Sequence, residues 1–155
     1  MYTKILVLLD GSKISECVLP YVEWFMKVSK LDEVVFLKVE EPLKMPRGME
    51  TAVIPENRER IEKDANKLAM EYLDGIVARF KTRRKTKVRP MVLRGKPVEV
   101  IADYVTRGQI DLLIMATHAY SGVQKFFSGS TADHIIHAIT APIFLVTPKD
   151  RPPDK

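Results

Sequence analysis

The sequence predicts an α/β fold: a three-layer α/β/α sandwich around a five-stranded, mainly parallel sheet. Three observations predict it. Short apolar runs alternate with amphipathic helical stretches along the whole chain, strand then helix, closing on a fifth strand. The runs are apolar at nearly every position, as strands are when helical crossovers cover both faces of the sheet. The chain has 155 residues, 46% hydrophobic and 29% charged, enough for one real core and too few for a second full domain.

The first strand is Lys4-Ile5-Leu6-Val7-Leu8-Leu9. It stops at Asp10-Gly11-Ser12, small polar residues suited to a turn and a helix start. Val18, Tyr21, Val22, Phe25 and Val28 then recur at spacings of three and four, which predicts an amphipathic helix over about residues 14 to 29. Pro20 fits it only in or near the first turn. Val34 to Val39 reads as the second strand, and the βαβ unit so formed is expected to be right-handed. Glu40 to Pro55 holds Pro42, Pro46, Gly48 and Pro55, a long connection for a compact domain, open to reading as a lid or as a plain excursion.

Ile61, Ala65, Leu68, Ala69, Tyr72, Leu73, Ile76, Val77 and Phe80 give the cleanest periodicity in the chain, a long helix with one apolar face. Val88 to Leu93 is the third strand. Pro97 at a first helical position, then Val98, Ile101, Ala102 and Val105, closed by Gly108, make the next helix. Asp111 to Ala116 is the fourth strand. Residues 130 to 139, with Ile135, Ile136 and Ile139 inward, form the last helix, and Ile143 to Val146 the fifth strand. Residues 1–148 are thus expected to form one domain, and the proline-rich 149–155 a disordered tail.

Composition narrows the function classes. The formal charge is +5, but Lys81, Arg83, Arg84, Lys85, Lys87 and Arg89 form one local basic run, and the remainder is close to neutral. That run reads as a solvated helix end and loop; neither interleaved aromatics nor a nucleic-acid motif supports an anionic partner there. A single cysteine, Cys17, excludes an internal disulfide and a cysteine-based zinc cluster, and its place early in the first helix reads as a small buried hydrophobe. The longest uninterrupted apolar stretch, Ile5 to Leu9, is far short of a membrane span, and no signal-peptide core is visible, so a cytoplasmic protein is expected.

In open parallel sheets ligands bind beyond the carboxyl ends of the strands, where neighbouring connections diverge. Those ends carry Asp10-Gly11-Ser12, Val39-Glu40 and Ala116-Thr117-His118-Ala119. After the fourth strand, Tyr120 to Ser128 lead to Gly129-Ser130-Thr131 at a helix start, where unpaired N–H groups, two hydroxyls and the positive end of the helix dipole offer an anion site, most naturally for phosphate. Such a cap is common among helices, and its position after a strand end is what gives it weight. Neither Gly-x-Gly-x-x-Gly nor a Walker A sequence is present. His134 and His137 are three apart on one helix, but no acid or cysteine at suitable spacing completes a metal site. Ser130, Asp133 and His134 match a hydrolase triad in composition only, since neighbours on one helix cannot align nucleophile, base and orienter.

Ile5-Leu6-Val7-Leu8-Leu9-Asp10-Gly11-Ser12, Arg94-Gly95-Lys96-Pro97-Val98-Glu99-Val100-Ile101, Asp111 to His118, Gly129-Ser130-Thr131-Ala132 and Ala141-Pro142-Ile143-Phe144-Leu145-Val146 occur in an order that resembles the universal stress proteins, within the adenine-nucleotide-binding α/β superfamily. The resemblance spans residues 2 to 147. It implies a Rossmann-like five-stranded parallel sheet, a homodimer through the last strand (Ile143 to Val146) and, in one subgroup, bound ATP. That subgroup carries Gly, two residues, Gly, nine residues, then Gly-Ser or Gly-Thr. Here Ala116 and Ala119 stand at the first two glycine positions, and Gly129-Ser130 keeps the final pair and the spacing. If Ala119 must be left-handed, its Cβ costs roughly 1 to 2 kcal/mol, which weakens binding without abolishing it.

The resemblance further implies that Asp10, within the Asp10-Gly11-Ser12 turn, accepts a hydrogen bond from ribose or adenine, its alternative role being to cap the turn at Ser12. It puts Val39 against the adenine ring, lets Gly95 bring its loop close to the nucleoside, has Ser130 and Thr131 donate to phosphates, and makes Thr117 and His118 line the phosphate loop. The expectation is a cytoplasmic stress or regulatory protein that binds ATP, with Mg2+ held mainly by phosphates and water, and lacks efficient turnover because no Walker lysine or placed catalytic acid is seen. The alternatives are a nucleotide-free dimeric interaction module and a slow ATP hydrolase using His118 or Asp10.

Overall fold

The computed structural model describes residues 2–42, 55–80, 86–117 and 130–148. Five strands, β1 (Lys4–Leu8), β2 (Glu33–Glu40), β3 (Lys87–Arg94), β4 (Leu112–Ala116) and β5 (Ile143–Val146), alternate with the helices α1 (Leu19–Val28), α2 (Pro55–Phe80), α3 (Pro97–Arg107) and α4 (Ser130–Ala138). The strands form one sheet in the order β3-β2-β1-β4-β5, with every neighbouring pair parallel. The chain therefore steps outward from β1 to β3, then returns beside β1 and leaves in the other direction. With right-handed crossovers, α1 and α2 lie on one face and α3 and α4 on the other.

Two cores fill those faces, because successive strand residues point to opposite sides. Ile5, Val7, Val34 and Phe36 pack with Val22 and Phe25 of α1 and Leu73 and Phe80 of α2. Leu6, Val35 and Leu37 pack with Ile101 and Val105 of α3 and Ile135 of α4. At the amino end of the sheet, Asp111 ties β1 to β4. Its carboxylate accepts hydrogen bonds from the Thr3 N–H (2.9 Å), the Thr3 hydroxyl (2.9 Å) and the Lys4 N–H (3.1 Å). An Asp111→Ala variant is expected to lose about 2 kcal/mol, since charged acceptors make the stronger hydrogen bonds; urea unfolding should show a lower midpoint at unchanged slope.

The structure departs from the sequence reading at several places. The stretch expected as a helix from 14 to 29 is a 3-10 turn (Ser15–Val18) followed by α1, with Pro20 in its first turn, where the missing N–H breaks no helical bond. The buried stripe of α1 is Leu19, Val22, Phe25 and Met26; Val28, expected inward, is exposed at the margin of that stripe. Cys17 is half-buried rather than enclosed, and burial raises its thiol pKa. The expected connection from Glu40 to Pro55 is shorter at both ends, because β2 continues through Glu40 and α2 starts at Pro55, a residue pre-set for a first helical position.

Ile61 and Leu68, assigned to the buried face of the long helix, are 47% and 66% exposed, while Ala69, Leu73, Ile76, Val77 and Phe80 are buried. A helix of 26 residues is about 39 Å long and a strand of eight about 27 Å, so the sheet cannot cover the whole of it. Ile135 is buried but Ile136 is exposed, since consecutive helical residues lie about 100° apart and cannot both face the sheet. Most of the expected 40–55 loop (43–54), residues 81–85 of the basic run, the segment 118–129 and the tail 149–155 lie outside the described residues.

Candidate functional site

The β1 connection enters one layer of helices and the β4 connection the other, so the backbone diverges between the carboxyl ends of these two adjacent strands. A cavity of about 530 Å³ opens there, within the range of small-molecule and cofactor sites. Leu8, Leu37, Val39, Met115 and Ala116 give it an apolar base, and Pro97 and Ile101 from the first two turns of α3 and Ala132 and Ile135 from the first two turns of α4 add apolar walls. Asp10, Ser15, Glu41, Thr117, Thr131 and Asp133 supply the polar groups. Two helix amino ends thus border one cavity, and their dipoles favour a negatively charged ligand there.

The loop after β1 is fixed by its own hydrogen bonds. The Ser12 N–H donates to the Asp10 Oδ1 at 2.7 Å, the side-chain turn expected of an acid at this position. The Asp10 N–H donates to the Ser15 Oγ (3.3 Å), whose hydroxyl donates to the Ser12 carbonyl (2.9 Å). Between them Gly11 takes φ +91°, a conformation open to glycine and strained for other residues. At the end of β4 the Thr117 N–H donates to the Val146 carbonyl at 2.8 Å, continuing the ladder to the cavity rim.

Of the residues expected at the site, Asp10, Val39, Ala116, Thr117 and Thr131 line this one cavity. Ser130 begins α4 beside it. Gly11 and Ser12 shape the loop that carries Asp10 without lining the cavity. Gly95 does not line it either: its φ of +146° and the Val100 side chain, whose Cγ1 lies 2.6 Å from where a Cβ would sit, account for glycine there. His118, Ala119 and Gly129 lie outside the described residues. His134 and His137 are exposed on α4, and among the described residues no three His, Cys, Asp or Glu side chains come together as metal ligands.

Sequence reasoning missed Ser15, Glu41, Pro97, Ala132 and Asp133. Helical spacing was the available signal for two of the walls, because Pro97 and Ile101, and Ala132 and Ile135, lie one turn apart. Ser15 and Glu41 had none, since only the tertiary fold brings the turn after β1 beside the end of β2.

Tyr72 of α2 reaches the same turn, donating to the Glu16 Oε1 at 3.4 Å. Burial, then the Glu16 charge, push its phenol up to about 12 from the usual 10. The folded state thus favours neutral Tyr72: this contribution is fully present below pH 10 and is lost as pH rises through 12. Ultraviolet titration should show one tyrosine ionising near pH 12, and unfolding midpoints should fall between pH 10 and 12 by less in Tyr72→Phe than in the parent.

Comparison with known proteins agrees with the topology. The family model described as the universal stress protein family matches residues 1–147. The universal stress protein MJ0577 of Methanocaldococcus jannaschii is 24% identical, the match covering 97% of this chain and 98% of that protein. A solved structure of MJ0577 superposes with a TM-score of 0.77 at 23% identity, covering 97% and 99% of the two chains. A universal stress protein in complex with cAMP gives 0.62 at 16% identity (94% and 97% covered), and an Arabidopsis thaliana family protein with AMP bound gives 0.60 at 16% (96% and 97%). At these identities the superpositions speak for the fold. Because the family model extends from the first residue to the end of β5 and so takes in every element of the sheet, the chain belongs to the universal stress protein family.

Proposed function

We propose that this protein binds an adenine nucleotide, with the base over Val39 and Leu37 and the phosphates toward the amino end of α4, and that it works as a stress or regulatory protein through nucleotide-dependent contacts. The observation that carries the reading is the cavity itself: an apolar base between β1 and β4 and a polar rim at a helix amino end suit a flat heterocycle joined to a polyanion. Two family structures hold such ligands, cAMP and AMP. In this reading Asp10 accepts a hydrogen bond from ribose or base and Thr131, with Ser130, donates to phosphate. Mg2+ accompanies a triphosphate, held by phosphate oxygens and water with Asp10 and Asp133 as the nearby hard oxygen donors.

Binding without efficient turnover is part of this reading: among the described residues the cavity wall offers hydrogen-bonding groups and carboxylates but no lysine or arginine of the kind phosphoryl transfer uses. Among the described residues no helix is long and apolar enough to cross a membrane, and the cytoplasm suits a protein that senses nucleotides. The direct test is to denature purified protein and look for released adenine nucleotide by chromatography, then to titrate emptied protein with millimolar ATP and magnesium in a calorimeter. Released nucleotide or a saturable heat supports binding. Neither signal leaves the alternative of a nucleotide-free interaction module, and phosphate release abolished by His118→Ala identifies a slow hydrolase.

The dimer belongs to the same proposal. β5 is an edge strand of four residues with Leu145 exposed, and its outer backbone groups can pair with a second copy. Leu145→Lys is expected to shift the protein from dimer to monomer in light scattering after size exclusion, with little change in circular dichroism. A dimer that survives the substitution places the interface elsewhere.

A further inference from the structure

Ser15 is buried, at 4% exposure, yet it belongs to no sheet or core cluster. Its hydroxyl links both ends of the loop after β1, accepting from the Asp10 N–H and donating to the Ser12 carbonyl, and its own N–H donates to the Ser12 Oγ at 3.1 Å. Behind it stands Tyr72 of α2, which donates to the Oε1 of the adjoining Glu16 at 3.4 Å, and Glu16 also pairs with Arg79 at 3.8 Å. The loop that presents Asp10 to the cavity is thereby tied to a long helix on the far side of the turn. With its proton given to one backbone group and a lone pair taken by another, the Ser15 oxygen is largely committed before any ligand arrives.

We propose that Ser15 is a positioning residue for the nucleotide site: although it lies in the cavity wall, its hydroxyl is committed to the backbone, and it holds Asp10 in the orientation that meets the ligand, acting through the Asp10–Ser12 loop. The proposal rests on the reading of this cavity as an adenine-nucleotide site and deepens it. A preformed loop saves the ligand the ordering cost it would otherwise bear on binding, so loss of the Ser15 hydroxyl weakens binding even though the contacts made by Asp10 are chemically unchanged. Tyr72 belongs to the same device one step further out.

The test is a double-mutant cycle on the full chain. Kd for ATP with magnesium is measured by calorimetry for the parent, Ser15→Ala, Asp10→Ala and the double variant, and amide hydrogen exchange is followed at Asp10, Gly11 and Ser12 without ligand. Ser15→Ala should raise Kd about five- to tenfold, in line with the loss of one hydrogen bond, and should speed exchange in the loop. In the Asp10→Ala background it should change Kd less than twofold. Equal effects of Ser15→Ala in both backgrounds, or loop exchange at the parent rate, overturn the proposal. A parent protein that ignores ATP refutes the nucleotide reading separately, while the exchange measurement still decides whether Ser15 orders the loop. Should Ser15→Ala not fold, Tyr72→Phe takes its place in the same cycle, with the same outcomes.

Discussion

Ala132→Phe is expected to abolish nucleotide binding while leaving the fold intact, with Kd rising at least about 100-fold, or about 2.7 kcal/mol. Ala132 lies in the first turn of α4 and lines the cavity beside Thr131 and Ile135, across from the strand ends of β1 and β4. Ala132 touches the second core as well as the cavity, but the cavity gives a phenyl ring room to turn into, and the weaker helix propensity of Phe costs only about 0.5 kcal/mol. The unfolding temperature should therefore move by no more than a few degrees. The comparison variant is Ala138→Phe at the far end of the same helix, exposed and away from the cavity, for which Kd should match the parent. Tight binding to Ala132→Phe would mean that the nucleotide sits outside this cavity.

Gly95→Ala should be the most damaging single-methyl change, costing about 3 kcal/mol of stability. Two separate penalties meet at this residue. Its φ of +146° lies where only glycine is at ease, which costs roughly 1 to 3 kcal/mol for any other residue. The new Cβ would also stand 2.6 Å from Val100 Cγ1 in the first turn of α3, and overpacking of that kind costs roughly 1 to 3 kcal/mol. For a chain of this length the unfolding temperature should drop by about 10 °C. Val100→Ala in the same background should recover part of the loss, because it removes the overlap and leaves the backbone strain. A variant as stable as the parent would show that the turn between β3 and α3 relaxes freely.

For Gly95 the resemblance and the geometry offer different reasons for glycine. The resemblance implied that this glycine lets its loop approach the nucleoside. In the structure its φ of +146° and the nearby Val100 side chain already call for glycine, and Pro97, two residues on, lines the cavity. Asp10 illustrates the opposite outcome: of its two anticipated roles, the turn acid is directly visible in the bond from the Ser12 N–H, and the same turn leaves the residue on the cavity rim. The turn role is thus compatible with the ligand contact proposed for Asp10.

What the sequence determined by itself was the alternation of elements. Runs such as Val34 to Val39 and Leu112 to Ala116 are too short and too uniformly apolar for anything but covered strands, and the proline and glycine that bracket α3 mark its ends. Right-handed crossovers then left few ways to order the sheet, and the rule that ligands gather beyond the strand ends pointed to Asp10, Val39, Ala116 and Thr117, which do share one cavity. Local periodicity failed where burial depends on partners. Leu68 is exposed although Ala69 beside it is buried, because consecutive helical residues lie about 100° apart, and Val28 and Ile136 likewise sit at stripe margins. Only the tertiary structure put Ser15 within hydrogen-bonding reach of Asp10 and brought Glu41, Pro97, Ala132 and Asp133 to one cavity. A linear pattern reports how a residue relates to its own helix or strand; which residues meet at the divergence between β1 and β4 is fixed by how those elements pack, and that information is spread across the whole chain.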